Sequence, residues 1–554
     1  MSKPLAAAGC LLTSLTILPT AQAQCHTQQL TASDAADIDV FGWSLDLDGD
    51  VAALGAIGND DACIADPNCN SGSVYIFRRA AGVWTEEAKL TCSDAVTKDE
   101  FGHDVAISGD RVLVGAHMKD SGAVYSFAFD GNNWIEEQKL VGSGTQATFH
   151  FGHSVEQDGG VAVIGTMRDD HQGFESGSAY VFERQGGAWV ERAKLVASDA
   201  ASGDRYGRSC GIQGDYIAVG AHLHDGVGAD SGAAYVYERD DNGTAGNPSD
   251  DTWPEVAALV PADTEAGMKF GRCVDFSGNV LIVGAEFGKS AGVATGAAYI
   301  YFRSGGTWIE VQKLVPSDGQ AGDAFGISVA LEGVYALVGA RAADANGADS
   351  GAVYVFTRTP AGYIQTGKLL GPDSVAGDQL GHETGVQVAG STALISSRFS
   401  AASGAFFGGS AYAFDLDDCL GTSYCDVTPN SAGPGAEIRA AGIQSISGND
   451  FTLISAGAIP NKVGLFFYGP NQIDIPLGNG KLCVGGVVRL NPPILADGAG
   501  TAVRPVDFTV FPAGSGANQI TAGTTWNFQH WFRDQAAGPG QFNLSDGVSC
   551  TFIP

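Results

Sequence analysis

Short apolar runs, rich in Val, Ile and aromatic residues and separated by Gly, Asp and Asn, fill most of the chain and recur in a fixed order. In one unit they cover about 104–108, 111–115, 122–127 and 134–140, which predicts four β-strands joined by tight turns. An aromatic-glycine pair marks each unit: Phe41-Gly42, Phe101-Gly102, Phe151-Gly152, Tyr206-Gly207, Phe270-Gly271, Phe325-Gly326 and a weaker seventh copy, Leu380-Gly381. Fourteen residues after each of the first six aromatics a glycine closes an apolar run (Gly55, Gly115, Gly165, Gly220, Gly284, Gly339); Ser396 takes that place in the seventh unit, after a two-residue insertion. A strand tyrosine follows (Tyr75, Tyr125, Tyr180, Tyr235, Tyr299, Tyr354, Tyr412), then Trp84, Trp134, Trp189, Trp253, Trp308 or Tyr363, each 17 residues before the next pair. Seven units of four strands predict an all-β chain built on a seven-bladed β-propeller. Residues 24–30 match a fourth strand with no first three, and the seventh unit ends after its third, so the start of the chain is expected to complete the last blade and remove an open sheet edge.

The Phe-Gly followed by Gly-Ala resembles FG-GAP repeats, the units of the seven-bladed propeller of integrin alpha subunits and of many exported bacterial proteins. The resemblance covers 24–416 and implies a propeller used for extracellular binding, in an adhesion-type role. The integrin-type calcium loop has no room here, because the turn between the first two strands is only Ser108-Gly109-Asp110 in the second unit and Glu332-Gly333 in the sixth. Asp46-Leu47-Asp48-Gly49-Asp50 looks closest to it but lacks the later carboxylate, so calcium is a minor expectation and no cofactor is certain.

Composition shifts after Asp418. Residues 417–435 are rich in Gly, Pro, Ser and Asn and read as a linker, and 436–554 carry no repeat but show seven or eight β segments, which predicts a small β-sandwich tied by Cys483 and Cys550. The stretches Gly464 to Gly469 and Trp526 to Asp534 resemble a domain found at the C-terminus of exported proteins of environmental Gram-negative bacteria.

Residues 1–23 read as a signal peptide, with Lys3 at the start, an apolar stretch from Leu5 to Leu18 and the small-x-small end Ala21-Gln22-Ala23. The expected location is therefore secreted, extracellular or on the outer surface of a Gram-negative-type bacterium, as a monomer with no transmembrane segment. Glycine at 78 of 554 residues suits a turn-rich β protein, and the formal charge of −32 makes nucleic acid an unfavourable partner and leaves an extracellular glycan or protein. Ten cysteines remain after Cys10, an even number suited to disulfides in an oxidising compartment. Cys63 with Cys69 is one candidate pair; Cys25 with Cys419 or Cys425 would lock the ring, with Cys419 to Cys425 as the local alternative.

Two candidate sites follow. The second-to-third-strand loops and the interblade loops leave an antiparallel blade at one end, so Asp60, Asp61, Asp120, Asp169, Asp170, Asp225, Asp344 and Asp349 are expected on one acidic ligand-binding face. The interblade Asp34, Asp94, Asp199, Asp263, Asp318 and Asp373 join them there, read as residues that bond their own turns. At the channel mouth, His103, His153 and His382 follow aromatic-glycine pairs, His117 and His222 follow Gly-Ala, and Arg208 and Arg272 take the histidine position in two units. If His103, His153, His222 and His382 converged with Asp225 or a metal, the alternative would be a secreted enzyme, a lyase or hydrolase acting on polysaccharide.

Overall fold

A computed structural model describes residues 26–552 apart from 62–68, 147, 245–248, 360–361, 402, 417–421, 426–428, 434, 442–450, 499, 517, 522–523 and 537–540. The expected signal peptide and Cys25, Cys63 and Cys419 lie outside the described residues. From His26 to Asp415 the chain forms seven four-stranded antiparallel sheets, here called blades 1 to 7 in chain order from Phe41. Blade 2 is Val105–Ser108, Arg111–Ala116, Ala123–Phe129 and Trp134–Leu140, close to the spans that the apolar pattern predicts. Blade 7 takes its outer strand from the start of the chain: His26–Leu30 pairs antiparallel with Ser410–Asp415, setting Gln29 opposite Tyr412.

The repeated motif has a steric cause. Each of the six aromatics is fully buried, and the five phenylalanines pack edge-on against the strand tyrosine of their own blade, as Phe41 does on Tyr75 at 5.5 Å and Phe101 on Tyr125 at 5.7 Å. The glycine after each aromatic or Leu380 has φ between 73 and 91°, a conformation that costs a residue with a Cβ. Its carbonyl oxygen lies against the Gly-Ala glycine of the preceding blade, so that a Cβ on Gly55, Gly115, Gly165, Gly220, Gly284 or Gly339 would collide with Gly102, Gly152, Gly207, Gly271, Gly326 or Gly381. The two glycines of the motif are thus one blade-to-blade contact. At the ring closure the partner of Gly42 is Ser396, whose Cβ is accommodated 2.8 Å from where a Cβ on Gly42 would stand.

The residue before each aromatic or Leu380 is not glycine, yet it is left-handed in all seven blades: Val40, Glu100, His150, Arg205, Lys269, Ala324 and Gln379 have φ between 51 and 59°. Such a backbone costs about 1–2 kcal/mol per residue and persists because the flanking packing fixes it.

Beyond the propeller, a five-stranded sheet (Thr422–Tyr424, Phe542–Thr551, Thr525–Arg533, Val463–Gly469, Val488–Leu495 in spatial order) and a three-stranded one (Glu437–Ala441, Thr452–Ala456, Ala502–Pro505) enclose a common core of Ile438, Leu453, Phe466, Tyr468, Phe528 and Phe552 among others. Thr422–Tyr424, within the stretch read as linker, pairs with Gly547–Ser549 and so belongs to this sheet. A hairpin not anticipated from the sequence, Asn471–Leu477 with Gly480–Gly485, carries Cys483 away from that core, and Cys483 is bonded to Cys425. This corrects the expected Cys483–Cys550 pairing, and it excludes Cys425 as the partner of Cys25 or Cys419: Cys550 faces the shared core as a free thiol. Cys69 is disulfide-bonded to a residue outside the described set. Cys92, Cys210 and Cys273 are free and buried, and burial pushes their thiols up to about 11, 12 and 12. Among the described residues no helix is long and apolar enough to cross a membrane.

Candidate functional site: the loop face and the channel mouth

Backbone hydrogen bonds tie each interblade loop to the second-to-third-strand loop of the blade before it: Ile38 N to Phe406 O, Lys98 N to Cys69 O, Gly203 N to Phe174 O and Gly377 N to Ala348 O are four of them. Both loop types therefore form one face. The interblade aspartates reach further than the expected local turns. Asp34, Asp199, Asp263, Asp318 and Asp373 each accept the hydroxyl of a strand tyrosine, at 2.6 Å from Tyr75, 2.6 Å from Tyr235, 2.9 Å from Tyr299, 2.8 Å from Tyr354 and 2.6 Å from Tyr412. Asp94 does the same for Tyr125. In four blades a lysine that also lies over the tyrosine ring completes the unit, as Lys368 does 2.7 Å from Asp318 and 4.9 Å from the Tyr354 centroid. Blade 3 has no aspartate here, and Tyr180 donates to the Ser143 carbonyl instead. A second acid in the same loop makes the local turn: Asp39, Asp99, Asp204, Asp323 and Asp378 accept backbone N–H groups three residues back.

The acids expected to bind ligand have internal duties as well. Asp60, Asp170, Asp225 and Asp344 accept the N–H of Asn70, Glu175, Asp230 and Asp349, closing their own loops at 2.6–2.9 Å. Asp61 pairs with Lys89. Asp169 is buried and accepts from Ser178 Oγ at 2.6 Å with Lys194 at 2.5 Å, which removes it from the accessible face. Asp349 is exposed, and Asp120 is the freest, with an 84% exposed side chain 4.0 Å from Lys139. Between these acids stand apolar tips the acidic reading missed: Phe174 is 70% exposed, and Phe406 is 59% exposed and stacked at 4.0 Å on Phe407.

At the centre of this face the channel mouth gathers what each blade places after its two glycines. His103 and His153 meet at 4.7 Å between ring centroids, and His117 joins them at 3.8 Å from His103, with His150 4.9 Å from His117. Burial, then the charge of Arg208, holds the His103 imidazole down at about 3; burial first also keeps His153, His117 and His222 well below the ordinary range and His150 at about 4. These rings are neutral at physiological pH, as the approach of Arg208 Nη1 to His153 at 3.4 Å requires. His382 stands apart, 3.0 Å from the Gly42 carbonyl, where it closes the ring, and burial holds it at about 3. The expected convergence with Asp225 does not occur: Asp225 is engaged in its loop, and it is His224 that meets an acid, Asp204, at 3.2 Å. Among the described residues no group of three or more His, Cys, Asp or Glu is arranged to hold a metal ion.

The ionic centre of the mouth is Glu383. Arg208 and Arg272 each donate to one of its oxygens, and Arg398 and Arg341 add their charge; burial alone would raise this carboxyl, and the four guanidiniums overcome that and hold it well below the ordinary range. Arg398 also lies 4.9 Å over the Trp43 ring. Glu383, Arg341, Arg398, His150 and Trp43 escaped the sequence reading, although three of the five, Trp43, Arg341 and Arg398, share register with the positions flagged in other blades. Below them in the channel, Asp46, Asp104, Glu156 and Asp275 repel one another inside an enclosing wall. Burial first, countered by backbone N–H groups of the next blade, lifts Asp46 to about 6 and Asp104 and Asp275 to about 7.

A family model described as FG-GAP repeat matches residues 26–77, 84–127, 134–182, 189–237, 253–301 and 308–356, together just over half of the chain. No curated protein matches the chain. Among solved structures, a Bacteroides fragilis NCTC 9343 protein titled "putative 6-phosphogluconolactonase" is similar at 16% identity and a TM-score of 0.41, over 59% of this chain and 83% of that one. A protein from Lactobacillus plantarum is similar at 15% identity and a TM-score of 0.37, over 60% and 89%.

Proposed function

Because the chain belongs to the FG-GAP repeat family, we propose that it is a binding protein of the adhesion type that works outside the cell and contacts a glycan or a protein through the loop face. The observation that carries this reading is the pairing of exposed aromatic tips with acids on a rigid frame. Phe174 lies in the loop closed by Asp170, and Phe406, whose N–H is 2.7 Å from Asp37, crowns the loop of blade 7. Rings of this size left in water cost about 2 kcal/mol each relative to burial, a cost that a ligand repays. An aromatic face beside a carboxylate suits the C–H face and hydroxyls of a sugar. The Cys425–Cys483 disulfide supports export to an oxidising compartment, such as the outer surface of a Gram-negative-type cell.

The test is binding of the purified protein to arrayed glycans and immobilised extracellular proteins, with and without calcium. Saturable binding that falls about tenfold in Phe174→Ala or Phe406→Ala supports the reading, and loss on chelation assigns a calcium bridge to the acids. Binding unchanged in both variants contradicts it. The second reading, a secreted lyase or hydrolase acting on polysaccharide, is favoured by one observation: His103 and His153 converge, 4.7 Å apart between ring centroids, beside Arg208 at the channel mouth. It predicts release of new sugar ends from polysaccharide, lost in His153→Ala.

A further inference from the structure

In a chain of formal charge −32, the channel mouth is locally cationic. Arg208, Arg272, Arg341 and Arg398 surround the carboxylate of Glu383; Glu286, 3.6 Å from Arg272 Nε, is shared with Lys269 at 3.4 Å, and Asp104 and Glu156 border the same cavity, where burial raises both carboxyls and so favours their neutral forms. The Nε atoms of Arg272, Arg341 and Arg398 are buried with no hydrogen-bond acceptor among the protein atoms, and Arg398 spends one amino group on Gln379 at 2.8 Å. A guanidinium left short of acceptors in an enclosed site is a strong receptor for a carboxylate, because bidentate N–H···O bonds and charge act together there.

The geometry points to the channel mouth as a carboxylate-binding site that takes a uronic acid residue of an acidic glycan, with Glu383 as a resident carboxylate that already occupies part of the arginine cluster. The cavity, lined by Arg208, Arg272 and Arg398 and also by the carboxyl groups of Glu383, Asp104 and Glu156, measures about 80 Å³, room for a carboxylate but not for a buried sugar ring. The ring of the uronate therefore stays at the entrance. There it meets the Trp43 indole and the neutral imidazoles of His103 and His153, partners for a sugar face and its hydroxyls that an acidic peptide would leave unused. This site is separate from the loop tips and stands whether or not they bind ligand.

Calorimetric titration of the intact protein with galacturonate tests it, with galactose and a short poly-glutamate peptide as comparisons. Galacturonate is expected to bind saturably and galactose not. Glu383→Gln, which removes the competing charge, should tighten galacturonate about tenfold, and Arg398→Gln, which leaves the Arg208–Glu383–Arg272 link in place, should weaken it about tenfold. If Glu383→Gln fails to fold by circular dichroism, Arg398→Gln and the wild-type titration decide. The site is overturned if wild type and variants bind no galacturonate, if a folded Glu383→Gln binds it no tighter, if Arg398→Gln binds it as wild type does, or if galactose binds equally. Tighter binding of the peptide overturns the glycan assignment. Phe174→Ala should leave galacturonate binding intact, so a failure of the loop-face reading is distinguishable from a failure here.

Discussion

The foot of each interblade loop and the channel mouth are built by the same repeat, yet they treat it oppositely. At the loop foot six of seven blades keep one unit, an aspartate receiving a tyrosine hydroxyl, and four add the same lysine. At the mouth, the position after the aromatic-glycine pair reads Trp43, His103, His153, Arg208, Arg272, Ile327 and His382. Invariance marks the frame because every blade must solve the same packing problem. Variation marks the place where seven blades face one another around an axis, so that each side chain is chosen against six different neighbours.

The comparison can be broken most sharply at the glycines. Gly284→Ala would press a Cβ on the Gly326 carbonyl of the next blade and should cost about 4 kcal/mol, read as a shift in the denaturant midpoint. A neutral result would remove the steric account of the motif.

Next in size is a difference in pH response. Asp104 in the channel has a folded-state pKa of about 7, raised by burial above an unfolded value of 3.8; its stability penalty is absent below about pH 4, grows between pH 4 and 7 and is complete above 7. Asp104→Asn should therefore stabilise the protein by about 3 kcal/mol at pH 8 and change little at pH 4. Asp94 at the loop foot behaves in reverse. Partial burial would raise it, but hydrogen bonds from Lys139 and Tyr125 outweigh that and hold it at about 2, so its contribution is present above pH 4 and is lost as pH falls toward 2. Asp94→Asn should destabilise at pH 7 and be silent at pH 2. The same sign of pH dependence for both variants would contradict the contrast between frame and channel.

A smaller effect is expected from Tyr354→Phe, which deletes one hydroxyl bond to Asp318 while keeping the ring under Lys368: about 1.5 kcal/mol in thermal unfolding.

Most of the frame was legible in the sequence because seven copies of fixed spacing report one structure seven times. Even the seventh blade, which has Leu380 for the aromatic and Ser396 for the glycine and whose three inner strands lie outside the family match, keeps its tyrosine and its register. The mouth was legible only in part. His103 and His153 share a repeat position and were placed together; the offset of Glu383 from its motif carries mostly Ser in other blades, and its role arises only when ring closure carries it across to Arg208, 175 residues away in sequence. Asp169 looked like its loop equivalents, but burial behind Ser178 is a tertiary fact that spacing does not carry. The Cys425–Cys483 bond lay deeper still, since the region after Asp415 has no repeat and the hairpin bearing Cys483 contains Pro476 and mixed exposed residues that weaken its strand pattern.

The account rests on a division of labour between a repeated frame and a variable ligand surface, and one paired measurement tests it most directly: ligand binding and thermal midpoint determined together for Tyr354→Phe and for the double variant Phe174→Ala, Phe406→Ala. The prediction is a lowered midpoint with unchanged binding in the first and an unchanged midpoint with binding reduced at least about tenfold in the second. Binding lost with the tyrosine hydroxyl and retained without the two phenylalanines would contradict it.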